Sequence, residues 1–168
     1  MSKLLEINTK SHLKGNKTLR TCLPYQQAKS IGILFTVEDK QKHYMIKDFI
    51  KKLEHDGKKS TVLCYLPDDK QNYEFLFDFY SEKDFSFWGK LTSESAIKFT
   101  DTAFDYLFYI DTEPNPLILN LLARSKAKCR IGRHWDDGES FFEFMLESTA
   151  NDTKSLIDGI YRYISILH

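Results

Sequence analysis

Three short stretches of almost continuously apolar residues punctuate the chain: residues 31–37, 61–66 and 104–110. Runs of this kind are typical of parallel strands that are buried on both faces of a sheet. Between the first two runs, apolar residues recur at helical spacing: Ile46, Phe49, Ile50 and Leu53. Gly57 then supplies a C-terminal cap, so the pattern predicts a right-handed β-α-β unit.

The second half of the chain continues this alternation. Asn115 and Pro116 predict the start of an apolar helix, because an N-cap residue precedes proline at the first helical position. Short strands are expected at 127–132 and 141–147, followed by an amphipathic C-terminal helix. The order predicts an α/β three-layer sandwich with a mainly parallel, Rossmann-like sheet and a strand order near 3-2-1-4-5-6. Residues 30–168 form a single domain in this interpretation.

Residues 1–29 form a basic N-terminal extension, with six lysine and arginine side chains against Glu6. A nucleic-acid-binding arm is one interpretation of this charge. The lysines lack the regularly interleaved aromatic residues that would act as stacking platforms, so we do not expect nucleic acid as a partner. We expect a partly helical extension that packs on the domain.

Composition limits the remaining classes of protein. The formal net charge is zero, and no apolar run approaches the length of a membrane span. Because the N-terminus lacks a secretory pattern, we expect a cytoplasmic protein. The three cysteines, Cys22, Cys64 and Cys129, are accordingly expected to be reduced and mostly buried.

Polar residues follow three of the predicted strands. Ligands of open α/β sheets bind beyond the carboxyl ends of the strands, so these residues are the candidate ligand-binding set. They are Glu38, Asp39, His43, Asp111, Glu113, Asn115, Arg133, His134 and Asp136. The alternative is that they are helix caps and turn residues, with Glu38 or Asp39 capping a helix and Asp136 lying in a turn.

No motif in the chain fixes a particular chemistry. The segment after the first strand has no glycine that would let the backbone approach a phosphate, and no nucleophile elbow is present. No compact metal-binding motif occurs either. We therefore expect no cofactor, no metal and no assigned catalytic residue.

Two compositional clusters have alternative explanations. Residues 124–133 carry five basic side chains without an acid, which favours a charge-protected edge strand over an anion site. The stretch 73–88 is rich in aromatic residues, and one strand face cannot bury them all. Phe85, Phe87 and Trp88 are therefore candidates for contact with a second copy of the chain or a cytoplasmic protein.

The segment 104–132 resembles the N-terminal Rossmann-like domain of heptosyltransferases. The similarity lies in Phe104-Asp105-Tyr106-Leu107 leading to Asp111, in residues 121–127, and in Arg130-Ile131-Gly132. This chain has Glu38-Asp39-Lys40 where that family has a Gly-Asp loop, so no catalytic residue is carried over. The whole chain, including its basic start, residues 85–89 and residues 125–132, more closely resembles a family of small uncharacterised Bacteroidetes proteins. That resemblance implies a fold and a location but no activity.

Together these features predict a non-enzymatic binding or accessory module. The alternative is a sugar- or nucleotide-handling enzyme, resembling a glycosyltransferase. The enzyme would require Asp111, Glu113, His134 and Asp136 to converge on one cleft.

Overall fold

The central strand of the sheet buries alternate side chains on opposite faces. A computed structural model describes residues 2–73, 77–148 and 150–167. Within β1 (Ser30–Thr36), Ile33 packs into one hydrophobic core and Leu34 into the other. Because both faces are covered, the strand is continuously apolar in sequence rather than alternating with polar residues.

The described residues form one sheet of six parallel strands. After β1 come β2 (Lys59–Tyr65), β3 (Asp78–Tyr80), β4 (Tyr106–Tyr109), β5 (Arg130–Arg133) and β6 (Phe144–Leu146). Their order in the sheet is β3-β2-β1-β4-β5-β6, and every pairing is parallel. The predicted α/β class and strand order are confirmed.

Five α-helices occur in the described part of the chain: α1 (Lys3–Gly15), α2 (Lys40–His55), α3 (Glu94–Asp101), α4 (Pro116–Arg124) and α5 (Thr153–Ser165). The core on one face of the sheet contains residues of α2 and α5, and the core on the other contains residues of α3 and α4. Helix α1 packs against α4 as an outer layer. None of these helices is long and apolar enough to cross a membrane.

The N-terminal segment is tied to the domain by polar contacts to backbone atoms. The Asn16 side-chain nitrogen donates to the carbonyl oxygens of Ala123 and Ser125, at 2.9 Å in each case. Arg20 donates to the Ser125 carbonyl at 2.9 Å, and the Tyr106 hydroxyl donates to the carbonyl of Leu23. These bonds fix the segment that follows α1.

Two cysteines are paired, which corrects the expectation of reduced thiols. Cys22, in the N-terminal segment, forms a disulfide with Cys129, just before β5, and their Cα atoms lie 5.0 Å apart. Cys64 remains a free, buried thiol, and burial raises its pKa to about 12. The prediction was wrong because a sequence separation of 107 residues hides the proximity of the two cysteines in space.

The basic run does not protect an edge strand, because β5 lies inside the sheet between β4 and β6. Arg130 is buried and forms a bidentate pair with Glu143, with Nη2 to Oε1 at 2.8 Å and Nε to Oε2 at 3.1 Å. Its Nη1 also donates to the Leu122 carbonyl at 2.9 Å. A distant carboxylate therefore neutralises the charge that the local sequence leaves unbalanced.

Asp105 joins the start of β4 to the N-terminal segment. Its carboxylate accepts hydrogen bonds from the backbone N–H groups of Lys29 at 2.8 Å and Ser30 at 3.1 Å, and from Lys128 Nζ at 2.8 Å. Burial raises the pKa of this carboxyl group, but these donors outweigh burial and lower it to about 2.

We expect the disulfide to stabilise the fold. Substitution of the half-buried Cys22, Cys22→Ser, should lower the free energy of unfolding by about 3 kcal/mol, because it releases the unfolded chain from a long closed loop. Urea unfolding with and without a reductant measures this. Reductant should destabilise the native protein and leave the variant unchanged; a native protein indifferent to reductant would contradict the prediction.

Asp105 should make stability dependent on acid pH. Its pKa is lower in the folded protein than the ordinary value of 3.8, so its contribution is present above pH 4 and is lost as the pH falls towards 2. Between pH 5 and pH 2 the native protein should lose about 2 kcal/mol more than Asp105→Asn. Urea unfolding across this range provides the measurement, with the exposed Asp101→Asn as control. If the native protein and Asp105→Asn lost the same free energy of unfolding between pH 5 and pH 2, Asp105 would not be the source of the pH dependence.

Candidate functional site

The carboxyl ends of β1 and β4 are neighbours at the point where the strand order reverses. In open α/β sheets this is the position at which ligands bind. Thr36 ends β1, and Asp111 follows β4. The Asp111 carboxylate accepts a hydrogen bond from the Thr36 backbone N–H at 2.8 Å and another from the Thr36 hydroxyl at 2.6 Å.

A buried ion pair completes the environment of Asp111. Lys42 Nζ lies 2.7 Å from Asp111 Oδ1, and each side chain is only 3% exposed. The same Nζ lies 2.8 Å from Oε1 of Glu38, which is half-exposed. Lys42 is in the first turn of α2, whose N-cap is Asp39, 2.8 Å from the Lys42 backbone nitrogen.

Sequence reasoning missed both Thr36 and Lys42. A signal for Lys42 was present, since a cation in the first turn of a helix faces the positive end of the helix dipole. Such a residue indicates a specific anionic partner, and here the partners are Asp111 and Glu38. No comparable signal marks Thr36, whose role depends on the pairing of β1 with β4.

Asn115 extends this polar network to α4. Its side-chain nitrogen donates to the Thr36 hydroxyl at 2.9 Å, and its side-chain oxygen accepts the backbone N–H of Leu117 at 3.0 Å. The backbone N–H of Asn115 donates to the Tyr109 hydroxyl at 2.8 Å. Burial is the main cause that raises the pKa of Tyr109 well above its ordinary value.

A small cavity of about 170 Å³ opens between the ends of β4 and β5, and we call it the β4–β5 cavity. It is lined by Tyr109, Asp111, Thr112, Glu113, Pro114, Arg133, His134 and Trp135. Arg133 spans one side, with Nη1 2.7 Å from the Thr112 carbonyl and also bonded to the Asn151 side chain.

Six of the nine predicted site residues belong to the polar network around Asp111 or to the wall of the β4–β5 cavity: Glu38, Asp111, Glu113, Asn115, Arg133 and His134. Asp39 instead caps α2, as the alternative interpretation had it. His43 is buried among aromatic rings, with its ring 5.6 Å from that of Phe35. Asp136 is exposed in a turn and does not line the cavity.

A larger cavity of about 380 Å³ lies at the same edge, and we call it the α1–α4 cavity. Its walls come from the start of α1, from the loop after β3 and from the start of α4: Ser2, Leu5, Glu82, Phe85, Ser86, Phe87, Gly89, Asn115, Pro116 and Leu117. Asn115 therefore connects this cavity to the polar network around Asp111.

A tight turn holds the loop against α1. The backbone N–H of Gly89 donates to the Ser86 carbonyl at 2.8 Å, and Gly89 has a φ of 75°. A Cβ atom at this glycine would lie 3.0 Å from Leu5 Cα. Both the positive φ and the close approach explain why glycine occupies the position.

The loop exposes two of the three aromatic residues that were predicted to make contacts. Phe87 is 79% exposed and Trp88 is 69% exposed, and their ring centroids lie 5.4 Å apart. Phe85 is half-buried. Of the aromatic stretch 73–88, Phe75 lies outside the described residues. Association through this surface stays a prediction.

Among residues 2–73, 77–148 and 150–167, no group of three or more histidine, cysteine, aspartate and glutamate side chains is arranged to hold a metal ion. The acidic residues of the site are distributed between the ion pair with Lys42 and the wall of the β4–β5 cavity.

A family model, described as a family of unknown function (DUF6913), matches residues 2–167. The chain belongs to this family. The match includes α1 and the N-terminal segment as well as the sheet, so the family is defined over the full architecture described above. No curated protein and no solved structure matches the chain.

The Lys42–Asp111 pair should couple the stability effects of its two members. Lys42→Met leaves a buried carboxylate without its cation and should cost about 3 kcal/mol in free energy of unfolding. The double variant Lys42→Met/Asp111→Asn should lose less than the sum of the single losses, because the uncompensated charge is gone. Urea unfolding of the native protein, Lys42→Met, Asp111→Asn and the double variant measures this coupling.

The exposed Lys51 on the same helix is the matched control, and Lys51→Met should change stability by less than about 0.5 kcal/mol. Strictly additive losses in the cycle would show that Lys42 and Asp111 act independently.

Proposed function

We propose that this protein is a non-enzymatic binding module, and that its ligand occupies the α1–α4 cavity at the carboxyl edge of a Rossmann-like sheet. The observation that carries the proposal is the size and lining of this cavity. Its 380 Å³ falls within the range of about 300–1,000 Å³ typical of small-molecule sites. Leu5, Phe85, Phe87 and Leu117 give it the mainly apolar walls of such sites.

The state of Asp111 argues against acid–base catalysis. Its two carboxylate oxygens accept three hydrogen bonds, from the Thr36 backbone, the Thr36 hydroxyl and Lys42. A general base needs an oxygen that can reach the proton of a substrate. Here both oxygens hold β1, β4 and α2 together.

One observation favours the alternative of a sugar- or nucleotide-handling enzyme. Asp111, Glu113 and His134 line the same β4–β5 cavity, beside Arg133. At 170 Å³, however, this cavity is smaller than the lower bound of about 300 Å³ for ordinary ligand pockets. The resemblance to heptosyltransferases concerns the fold and supplies no catalytic residue.

A cytoplasmic location stays a prediction. The Cys22–Cys129 disulfide argues against a strongly reducing compartment, because disulfides are rare in cytosolic proteins. The proposed binding function does not depend on either location.

The proposal can be tested by amide NMR with a set of small aromatic and aliphatic fragments that includes cations, anions and neutral compounds. We expect shifts in residues 85–89 and at the start of α4. Ser86→Trp, which places a large side chain at the cavity wall, should abolish them. Lys83→Trp lies on the same loop outside the cavity lining and should preserve them.

Fragments that shift only the residues around Arg133 and His134, together with turnover of a nucleotide sugar, would support the enzyme instead. A fragment set that shifts neither region would overturn the binding proposal.

A further inference from the structure

The polar side chains around the α1–α4 cavity are mostly engaged within the protein. The Ser2 hydroxyl accepts the Leu5 backbone N–H at 3.4 Å and caps α1. The Ser86 hydroxyl accepts the Lys90 backbone N–H at 3.1 Å. Asn115 uses its side-chain nitrogen on Thr36 and its side-chain oxygen on Leu117.

Glu82 is the exception. Its side chain lines the cavity and is exposed to solvent, and among the described residues its carboxylate makes no hydrogen bond or ion pair. The neighbouring Lys83 is directed to Asp68 instead, at 3.8 Å. Among the described residues that line the cavity there is no lysine, arginine or histidine. Glu82 therefore gives the cavity a negative charge that a bound cation would balance.

The start of α4 does not offer a competing anion site. Pro116 has no N–H group, and the N–H of Leu117 donates to the Asn115 side chain. The N–H of Ile118 is 3.0 Å from the Asn115 carbonyl oxygen. An anion in the cavity would meet a carboxylate and find these helix N–H groups already bonded.

The walls add a second preference for a cation. Phe85 and Phe87 both line the cavity beside Glu82. Aromatic faces attract organic ammonium groups, and a carboxylate strengthens this attraction by a charge-assisted hydrogen bond. Leu5 and Leu117 offer apolar surface to the rest of such a ligand.

We infer that the α1–α4 cavity binds a small organic ammonium compound. Its ammonium group would lie beside Glu82 and the rings of Phe85 and Phe87, and its apolar part would contact Leu5 and Leu117. This inference rests on the proposed binding function and specifies its ligand class. A free small molecule is favoured over a protein side chain because the 380 Å³ volume suits a whole small ligand.

The test compares three probes of similar shape: 2-phenylethylammonium, the neutral 2-phenylethanol and the anionic phenylacetate. Binding is measured by NMR titration of the native protein, Glu82→Gln and Phe87→Leu. We expect the ammonium compound to bind at least about tenfold more tightly than the alcohol, and phenylacetate to bind most weakly. Glu82→Gln should remove the preference for the cation, while binding of the alcohol is kept.

Phe87→Leu keeps an apolar side chain at the cavity wall but removes the aromatic face. It should therefore weaken binding of the ammonium compound more than binding of the alcohol. Lys83→Gln is the matched control outside the cavity and should leave all three affinities unchanged. Equal affinities of the three probes for the native protein would overturn the ammonium inference and leave apolar binding intact. Binding of none of them, together with no shifts from the wider fragment set, would overturn the proposed function as well.

Discussion

The buried Lys42–Asp111 ion pair is the constraint on which the carboxyl edge of the sheet depends. It joins the first turn of α2 to the end of β4 across the point where the strand order reverses. Burial of two charges costs several kcal/mol in desolvation. This cost is offset only where the two ions are in close contact and the remaining carboxylate oxygen is also hydrogen-bonded. Thr36 provides those bonds from β1. The pair and these bonds together connect β1, β4 and α2.

The same pair determines what the neighbouring groups can do. Because the Thr36 hydroxyl donates its hydrogen bond to Asp111, its oxygen can accept a hydrogen bond from the Asn115 side chain. Asn115 is thereby oriented to cap α4, and the N–H groups at the start of that helix are satisfied. The chain of bonds runs from a buried charge to the wall of the α1–α4 cavity. Glu82, which also lines that cavity, lies outside this chain of bonds.

The fold was predictable because its information is local. The apolar composition of residues 31–37 is enough to predict a buried strand. The pair Asn115-Pro116 predicts the start of α4, because asparagine is a common N-cap and proline is common at the first helical position. The errors concern contacts between residues far apart in the chain. Cys22 meets Cys129 across 107 residues, and Glu143 neutralises Arg130 although the local run contains only bases. For the candidate site, the strand-end rule indicated which residues lie near one another at the carboxyl edge, but the hydrogen bonds and ion pairs of their side chains could not be inferred from spacing.

The N-terminal segment shows how this limit affects functional reasoning. By charge alone it is an appended basic extension, yet Leu5 forms part of the α1–α4 cavity and Thr9 bonds to Asn120 in α4 at 3.0 Å. The Gly89 turn packs so closely on Leu5 that α1 and the aromatic loop share one surface. The Cys22–Cys129 disulfide then anchors the chain that follows α1 to the sheet. The α1–α4 cavity is therefore formed by the start of α1 together with the loops that follow β3 and β4, and the family match covers all of these elements.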